Sequence, residues 1–201
     1  MSQVKVPHII LASASPRRAE LLRSAAIPFT VDVADIAEDA KAGEKPVEHA
    51  ARLAREKAEV VANRNPGKIV LGADTIVLVD DQILGKPRDP ADAKRMLRLL
   101  SGRAHQVITG VAIVFLESEY RKLETRSEKT KVFFDKLTSA DIEAYISTRE
   151  PMDKAGAYAI QGIASRWITK IEGDYANVVG LPVALVWEML QKFVTPASRR
   201  L

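Results

Sequence analysis

The chain has 201 residues, 47% of them hydrophobic, and a formal net charge of +4. This length allows one compact domain with a real core. The 30 basic and 26 acidic residues are interspersed, a pattern that suits a small anionic ligand but is too weak and scattered to predict a nucleic-acid groove. The lack of cysteine excludes disulfides and thiol catalysis, and three histidines far apart at positions 8, 49 and 105 do not favour a zinc site.

The N-terminus has no long apolar segment typical of a signal peptide, and no run of about 18 apolar residues could span a membrane. We therefore expect a soluble, cytoplasmic protein without a membrane partner. We also expect a single domain over residues 1–201. Its ordered core should cover about 7–194, and residues 195–201 should form a frayed C-terminal tail.

The first predicted elements are a short buried strand at residues 9–12, a tight loop and a helix. Ser15 suits the N-cap of this helix and Pro16 its first position. Arg17 and Arg18 then fall in the first turn, where two cations are favourable only if an anion joins them. With free backbone N–H groups and serine hydroxyls, they predict a phosphate cradle. The alternatives are arginines that point into water, or a Ser-Pro-Arg-Arg unit that tracks DNA, although such units normally recur in basic tails.

A second strand is predicted at residues 29–33, and an acidic stretch follows it. Glu38 in this stretch is a candidate metal or water ligand, with a solvated loop as the alternative. A helix from residue 46 to about residue 63 is predicted because its apolar residues recur at 3.6-residue spacing. Lys57 lies on the apolar stripe as the one charge expected to face inward, while Arg52 is expected on the opposite side. Snorkelling of Lys57 at the edge of the stripe is the alternative.

The centre of the chain is a predicted buried strand at residues 70–79, which carries a carboxylate, Asp74, in its middle. An ionised carboxylate there costs several kcal/mol unless a cation or hydrogen-bond donors meet it. Asp74 is therefore expected to be held by a metal, a base or a substrate. A turn at residues 80–82 predicts a hairpin that places Lys86 opposite position 74, 75 or 76, within reach of Asp74. A purely structural Asp–Lys pair is the alternative.

The remaining chain alternates helices and strands. Helices are predicted at residues 89–101, from residue 138, and from 182 to about 193, and strands at 106–116, 125–134 and 166–171. Between them, the loop at residues 151–162 is rich in small residues, as suits close approach of a ligand. The amide of Gln161 in this loop could pair with the carbonyl and N–H groups of a pyrimidine, or simply face solvent.

Polar residues from separate segments thus stand out against their surroundings. They are Ser13, Arg17, Arg18, Glu38, Lys57, Asp74, Lys86, Arg88 and Gln161. The excess of cations suggests a polyphosphate ligand. The two carboxylates suggest a hard divalent cation held through oxygen, Mg²⁺ or Mn²⁺.

The sequence resembles the Maf family of nucleoside triphosphate pyrophosphatases, whose fold is similar to that of the inosine triphosphate pyrophosphatases. The motifs that carry this resemblance cover nearly the whole chain in the family's order. They are IILASASPRR at 9–18, RLAREKA at 52–58, LGADT at 71–75, GKPRD at 85–89, DKAGAYAIQG at 153–162 and VGLP at 179–182. The resemblance implies an α/β fold with a mixed, twisted central sheet flanked by helices, and two lobes around a cleft.

The resemblance also implies hydrolysis of the α–β phosphoanhydride of dTTP and UTP, which gives the monophosphate and pyrophosphate. Asp74 is implied as the proton acceptor, with Lys57 and Lys86 as catalytic partners. Asp74 and Glu38 are expected to hold the divalent cation. The residues expected to bind substrate are Ser13, Arg17, Arg18 and Arg88.

The family divides by substrate at three positions, which are Arg17, Thr75 and Gln161 in this chain. This set matches the branch that acts on dTTP and UTP, whereas the 7-methyl-GTP branch has Trp, Gln and Glu. A 7-methyl-GTP-type pyrophosphatase and a non-catalytic, nucleotide-binding regulator of cell division or septum formation remain as alternatives. The oligomeric state stays open, a homodimer included.

Overall fold

A computed structural model describes residues 6–193 of the chain. The predicted tail at 195–201 lies outside the described residues. The strands are β1 (Ile9–Leu11), β2 (Phe29–Val31), β3 (Ile69–Val79), β4 (Gln82–Leu84), β5 (Ala104–Glu117), β6 (Tyr120–Phe134) and β7 (Ile168–Glu172). The α-helices are α1 (Pro16–Ser24), α2 (Pro46–Arg64), α3 (Pro90–Leu100), α4 (Ser139–Ser147), α5 (Tyr175–Val179) and α6 (Val183–Gln191).

The described strands form one seven-stranded mixed sheet in the order β2-β1-β3-β5-β6-β7, with β4 also paired to β3. Pairs β1–β2 and β1–β3 are parallel, and the others are antiparallel. Helices cover both faces of β3, so the predicted mixed α/β class is confirmed. Val70 packs against α2 on one face, while Leu71 and Ala73 pack against α1 and α6 on the other. No helix of the described residues is long and apolar enough to cross a membrane.

Most predicted elements are confirmed, and the differences have local causes. The predicted strand at 29–33 is only three residues long, and β6 begins five residues earlier than predicted. The sequence analysis missed α5, which has five residues and is too short to show a helical period. It forms because the Asp174 side chain accepts a hydrogen bond from Ala176 N, and it ends at Gly180.

The edge of β3 has a gap that positions the site described below. On this edge β1 pairs with Ile69–Leu71 and β4 pairs with Val77–Val79. Residues 72–76 lie between these two partners, and no strand of the described residues pairs with them on that edge. Since successive strand residues point to opposite faces, side chains from both faces of the sheet reach this gap.

Two glycines allow α2 to lie unusually close to the sheet. A Cβ atom added to Gly72 would lie 2.2 Å from the carbonyl oxygen of Ala54, and one added to Gly110 would lie 2.2 Å from that of Ala50. Both oxygens belong to the backbone of α2, so neither can move unless the helix itself moves. These contacts fix the height of α2 above β3 and β5.

We expect Gly110→Ala to lower the free energy of unfolding by about 3 kcal/mol, because the added methyl group must displace the backbone of α2. Urea unfolding measures the change. Gly85→Ala is the matched control, since its Cβ would meet no atom within 4 Å. An equal loss in the two variants would contradict the close-packing explanation.

His105 of β5 is a buried, uncharged histidine. Its Nε2 atom lies 2.7 Å from the hydroxyl of Tyr158, and its Nδ1 atom has no partner among the described residues. Burial lowers the pKa of His105 from 6.5 to about 4. Below pH 6.5 the unfolded chain therefore takes up a proton that the folded protein does not bind until about pH 4, so stability falls as the pH falls through this window.

As the pH falls from 6.5 to 4, His105 should lower the free energy of unfolding of the wild-type protein by about 3 kcal/mol. We expect His105→Gln to lack this part of the pH-dependent loss. Urea unfolding of the two proteins at several pH values measures the difference. Parallel stability curves would show that His105 is not the group responsible.

Candidate active site

A cavity of about 680 Å³ opens at the gap beside β3. Its walls come from the loop between β1 and α1, the loop after β2, one face of α2, the centre of β3, the segment after β4, and residues 153–161. Of the nine polar residues that the sequence analysis singled out, eight line this cavity. They are Ser13, Arg17, Arg18, Glu38, Lys57, Asp74, Lys86 and Gln161.

The centre of the cavity is a lysine that bridges two carboxylates. Lys57 is 8% exposed, so the prediction that it faces inward is confirmed. Its Nζ atom donates to Oδ1 of Asp74 at 2.7 Å and lies 2.6 Å from Oε1 of Glu38. Asp74 is itself 7% exposed. The buried carboxylate of β3 is thus met by a cation from α2.

The structure gives Asp74 a different partner from Lys86, which the hairpin spacing predicted. The hairpin ladder ends at Leu84, and no ion pair within the described residues joins Lys86 to Asp74, because Lys57 takes that position. Lys86 is exposed and lines the cavity, and its charge acts on Glu38 instead. Although partial burial alone would raise the pKa of Glu38, its hydrogen bond to Lys57 and the charges of Lys57, Lys86 and Arg18 hold it below its usual value.

Arg18 ties three segments of the site together. Its Nε donates to Gly180 O, its Nη1 to Ser13 Oγ and Ala73 O, and its Nη2 to Thr75 Oγ1, all at 2.9–3.1 Å. These bonds use four of the five N–H donors of a guanidinium. Burial lowers the pKa of Arg18, while the nearby Asp74 opposes this effect. Arg18 is therefore anchored to the protein, unlike the free phosphate-binding group that the sequence suggested.

The three positions expected to select the substrate line the same cavity. The Arg17 side chain is 25% exposed, and its Nη1 lies 3.3 Å from Asp153 Oδ2. The Thr75 hydroxyl is held by Arg18 and lies 3.0 Å from Thr109 Oγ1. Gln161 is exposed at the cavity wall. Arg17 and Gln161 therefore remain accessible to a ligand, whereas the hydroxyl of Thr75 is already engaged by protein groups.

Arg88 is not brought to the site. Its side chain is 84% exposed, and its Nε lies 3.5 Å from Asp92 Oδ2. Arg88 does not line the cavity. The structure therefore gives no support to the prediction that Arg88 binds substrate, although it follows Lys86 closely in the chain.

The sequence analysis missed other residues that line the cavity, including His49, Lys154 and Tyr158. Lys154 Nζ donates to Glu150 O and lies 2.6 Å from Asp153 Oδ1. His49 could have been found from its spacing, because it lies eight residues before Lys57 and so falls on the same helix face. Arg52, expected on the side of the helix opposite the apolar stripe, has a side chain that is only 9% exposed, because it pairs with Glu44.

The carboxylates fit a divalent cation only if a ligand completes the site. The described residues contain no group of three or more His, Asp or Glu side chains that could hold a metal. Asp74 and Glu38 each use one oxygen for Lys57, and no hydrogen bond of the described residues reaches Asp74 Oδ2 or Glu38 Oε2. Mg²⁺ in phosphate-processing sites typically takes one or two carboxylates together with phosphate and water oxygens. The donor set fits that arrangement.

Comparison with known proteins finds a matching family model, similar curated proteins and a similar solved structure. A family model described as "Maf-like protein" matches residues 8–193. The dTTP/UTP pyrophosphatase of Koribacter versatilis is 53% identical over 92% of this chain and 93% of its own length. That of Citrifermentans bemidjiense is 54% identical over 94% of this chain and 96% of its own length. Among solved structures, the Staphylococcus aureus Ham1 protein matches with a TM-score of 0.48 and 14% identity, over 92% of this chain and 99% of that chain.

Proposed function

Because the chain belongs to the Maf family, we propose that it is a nucleoside triphosphate pyrophosphatase that hydrolyses dTTP and UTP to the monophosphate and pyrophosphate. Relatives named for this activity are more than 50% identical over nearly the whole chain. The observation that carries the proposal is the pair of carboxylates, Asp74 and Glu38, bridged by Lys57 in a cavity that also contains Arg17 and Gln161.

Asp74 is the proton acceptor in this proposal. Its Oδ1 is held by Lys57, which leaves Oδ2 to take or direct the proton of an attacking water. The Lys57 ammonium holds the carboxylate in its orientation, and with Lys86 it opposes the negative charge that develops on the phosphate oxygens. Arg18 fixes Ser13 and the β3 backbone, so the phosphate-facing loop is in place before substrate arrives.

Asp74 and Glu38 would hold a divalent cation, Mg²⁺ or Mn²⁺, with the phosphates of the substrate supplying further oxygens. Such a cation supplies Lewis-acid polarisation of the phosphoryl oxygens. The low pKa of Glu38 keeps this carboxylate ionised at neutral pH, as a cation ligand must be.

The choice of pyrimidine follows from accessible polar groups at the cavity wall. The Gln161 side chain offers one donor and one acceptor side by side, which match the carbonyl and N–H groups that uracil and thymine share. Arg17 lines the same cavity and stays accessible to a ligand. Thr75 acts through its bonds to Arg18 and Thr109, so it shapes the wall instead of pairing with the base.

A pyrophosphate-release assay on the purified protein tests the proposal. The panel comprises dTTP, UTP, CTP, GTP and 7-methyl-GTP, each with Mg²⁺ or Mn²⁺, and a chelator arm. We expect release from dTTP and UTP, loss of activity with the chelator, and recovery when the metal is restored. Preference for 7-methyl-GTP would assign the chain to the other branch. Binding without release of pyrophosphate from any nucleotide would indicate a non-catalytic regulator.

A further inference from the structure

His49 of α2 lines the cavity but has no part in the mechanism above. Its side chain is 6% exposed. His49, Leu53 and Lys57 are spaced four residues apart, so they form one row on the helix, and all three line the cavity. The row is about 12 Å long. It ends at the ammonium group that holds Asp74.

Glu44 fixes the orientation of the His49 ring. The Nδ1 atom lies 3.0 Å from Glu44 Oε2. Hydrogen bonds from Arg52 are the main reason that the pKa of Glu44 lies far below its usual range, so this carboxylate is ionised and accepts from Nδ1–H. Arg52 Nη2 lies 3.2 Å from Nδ1, but it donates to Glu44 Oε2 and Asp39 O. The Nδ1 proton therefore goes to Glu44.

The other ring nitrogen, Nε2, has no partner. None of the hydrogen bonds within residues 6–193 reaches it. Fully enclosed side-chain atoms without partners occur in this region on His105, Thr125 and Asn177 but not on His49, so Nε2 keeps some exposed surface on a residue that lines the cavity. A polar atom left free in a side chain that is more than nine-tenths buried is costly unless a ligand or water satisfies it.

The position of His49 relative to the sheet indicates which part of a nucleotide it meets. Asp74 points from β3 toward α2, whereas Thr75 points to the opposite face, toward Arg18 and Thr109. The row that contains His49 lies on the Asp74 side. In the proposed function this is the side of the phosphates.

Resting on that proposed function, we propose that Nε2 of His49 binds the pyrophosphate portion of the substrate, the part that leaves. With Nδ1–H donated to Glu44 and Nε2–H donated to a phosphate oxygen, the ring binds as an imidazolium. His49 thereby supplies a positive charge that Lys57, already paired with two carboxylates, does not.

Two variants separate the role of Nε2 from that of Nδ1. His49→Asn keeps a side-chain amide near the position of Nδ1 for Glu44 but has no atom at the position of Nε2. His49→Gln extends an amide toward the position of Nε2. We expect His49→Asn to raise the KM for dTTP and the Kd for inorganic pyrophosphate about tenfold, as for loss of a charge-assisted hydrogen bond. The Kd for dTMP should stay within about twofold, and His49→Gln should recover part of the loss.

Steady-state kinetics gives the KM, and calorimetric titration with pyrophosphate and with dTMP, each with Mg²⁺, gives the Kd values. His8→Asn, which changes an exposed histidine outside the cavity, should leave all of them unchanged. Unaltered pyrophosphate binding in His49→Asn, or an equal weakening of pyrophosphate and dTMP, would overturn the inference. Since the titrations need no turnover, they test His49 even if the wild-type protein releases no pyrophosphate, a result that would instead overturn the proposed function.

Discussion

Asp74→Asn should lower kcat for dTTP by about three orders of magnitude while the protein stays folded and still binds nucleotide. The asparagine oxygen can still accept the hydrogen bond from Lys57, so the shape of the site is kept. The amide cannot accept a proton, and it lacks the charge that a divalent cation requires. Pyrophosphate release measures kcat, and calorimetry with dTTP measures binding.

Asp81→Asn is the matched control for Asp74→Asn. Asp81 lies in the exposed turn of the same hairpin with a φ of 60°, a conformation that asparagine tolerates well. This variant should keep wild-type kinetics. If Asp74→Asn retains its kcat, Asp74 is not the proton acceptor and the proposed mechanism fails.

Gln161→Glu should lower kcat/KM for dTTP and UTP by about a hundredfold or more. A carboxylate cannot donate to the carbonyl of the base, and it repels that oxygen, so the polar edge of the pyrimidine is mismatched. The loss should be smaller for a purine nucleotide, since its edge does not depend on this pairing. The ratio of kcat/KM for dTTP to that for GTP measures the change.

Gln191→Glu provides the same substitution at an exposed position at the end of α6, and it should not alter this ratio. Unchanged dTTP kinetics in Gln161→Glu would remove Gln161 from base recognition. A uniform loss with every nucleotide would show that the substitution disturbs the cavity as a whole rather than the choice of base.

Local signals in the sequence predicted much of this fold. The apolar stripe of α2 placed Lys57 on the buried face, and the structure confirms it, because a period of 3.6 residues determines which side chains share a helix face. The β-branched run of β3 likewise predicted a buried strand. Asp74 could be recognised as unusual for the same reason, since most other residues of this strand are apolar.

Contacts between distant segments could not be predicted in this way. The spacing of the hairpin suggested Lys86 as the partner of Asp74, but Lys57 reaches it from a helix that lies before β3 in the chain. Arg52 was expected on the polar side of the helix, but the pattern gave no sign that Glu44 from the preceding loop would cover it. Neither partner is encoded by periodicity, because the first depends on how α2 packs over β3 and the second on how the loop before α2 packs against the helix.

The amino-acid sequence alone determined the order and type of the long elements, the buried carboxylate and lysine, and the motifs of the family, because these depend on neighbouring residues and on short repeats. Only the tertiary structure decided that Arg18 is anchored by Ser13, Ala73, Thr75 and Gly180, and that Arg88 stays outside the cavity. These outcomes follow from the gap between β1 and β4 and from the close approach of α2 to two glycines, which bring together groups far apart in the chain.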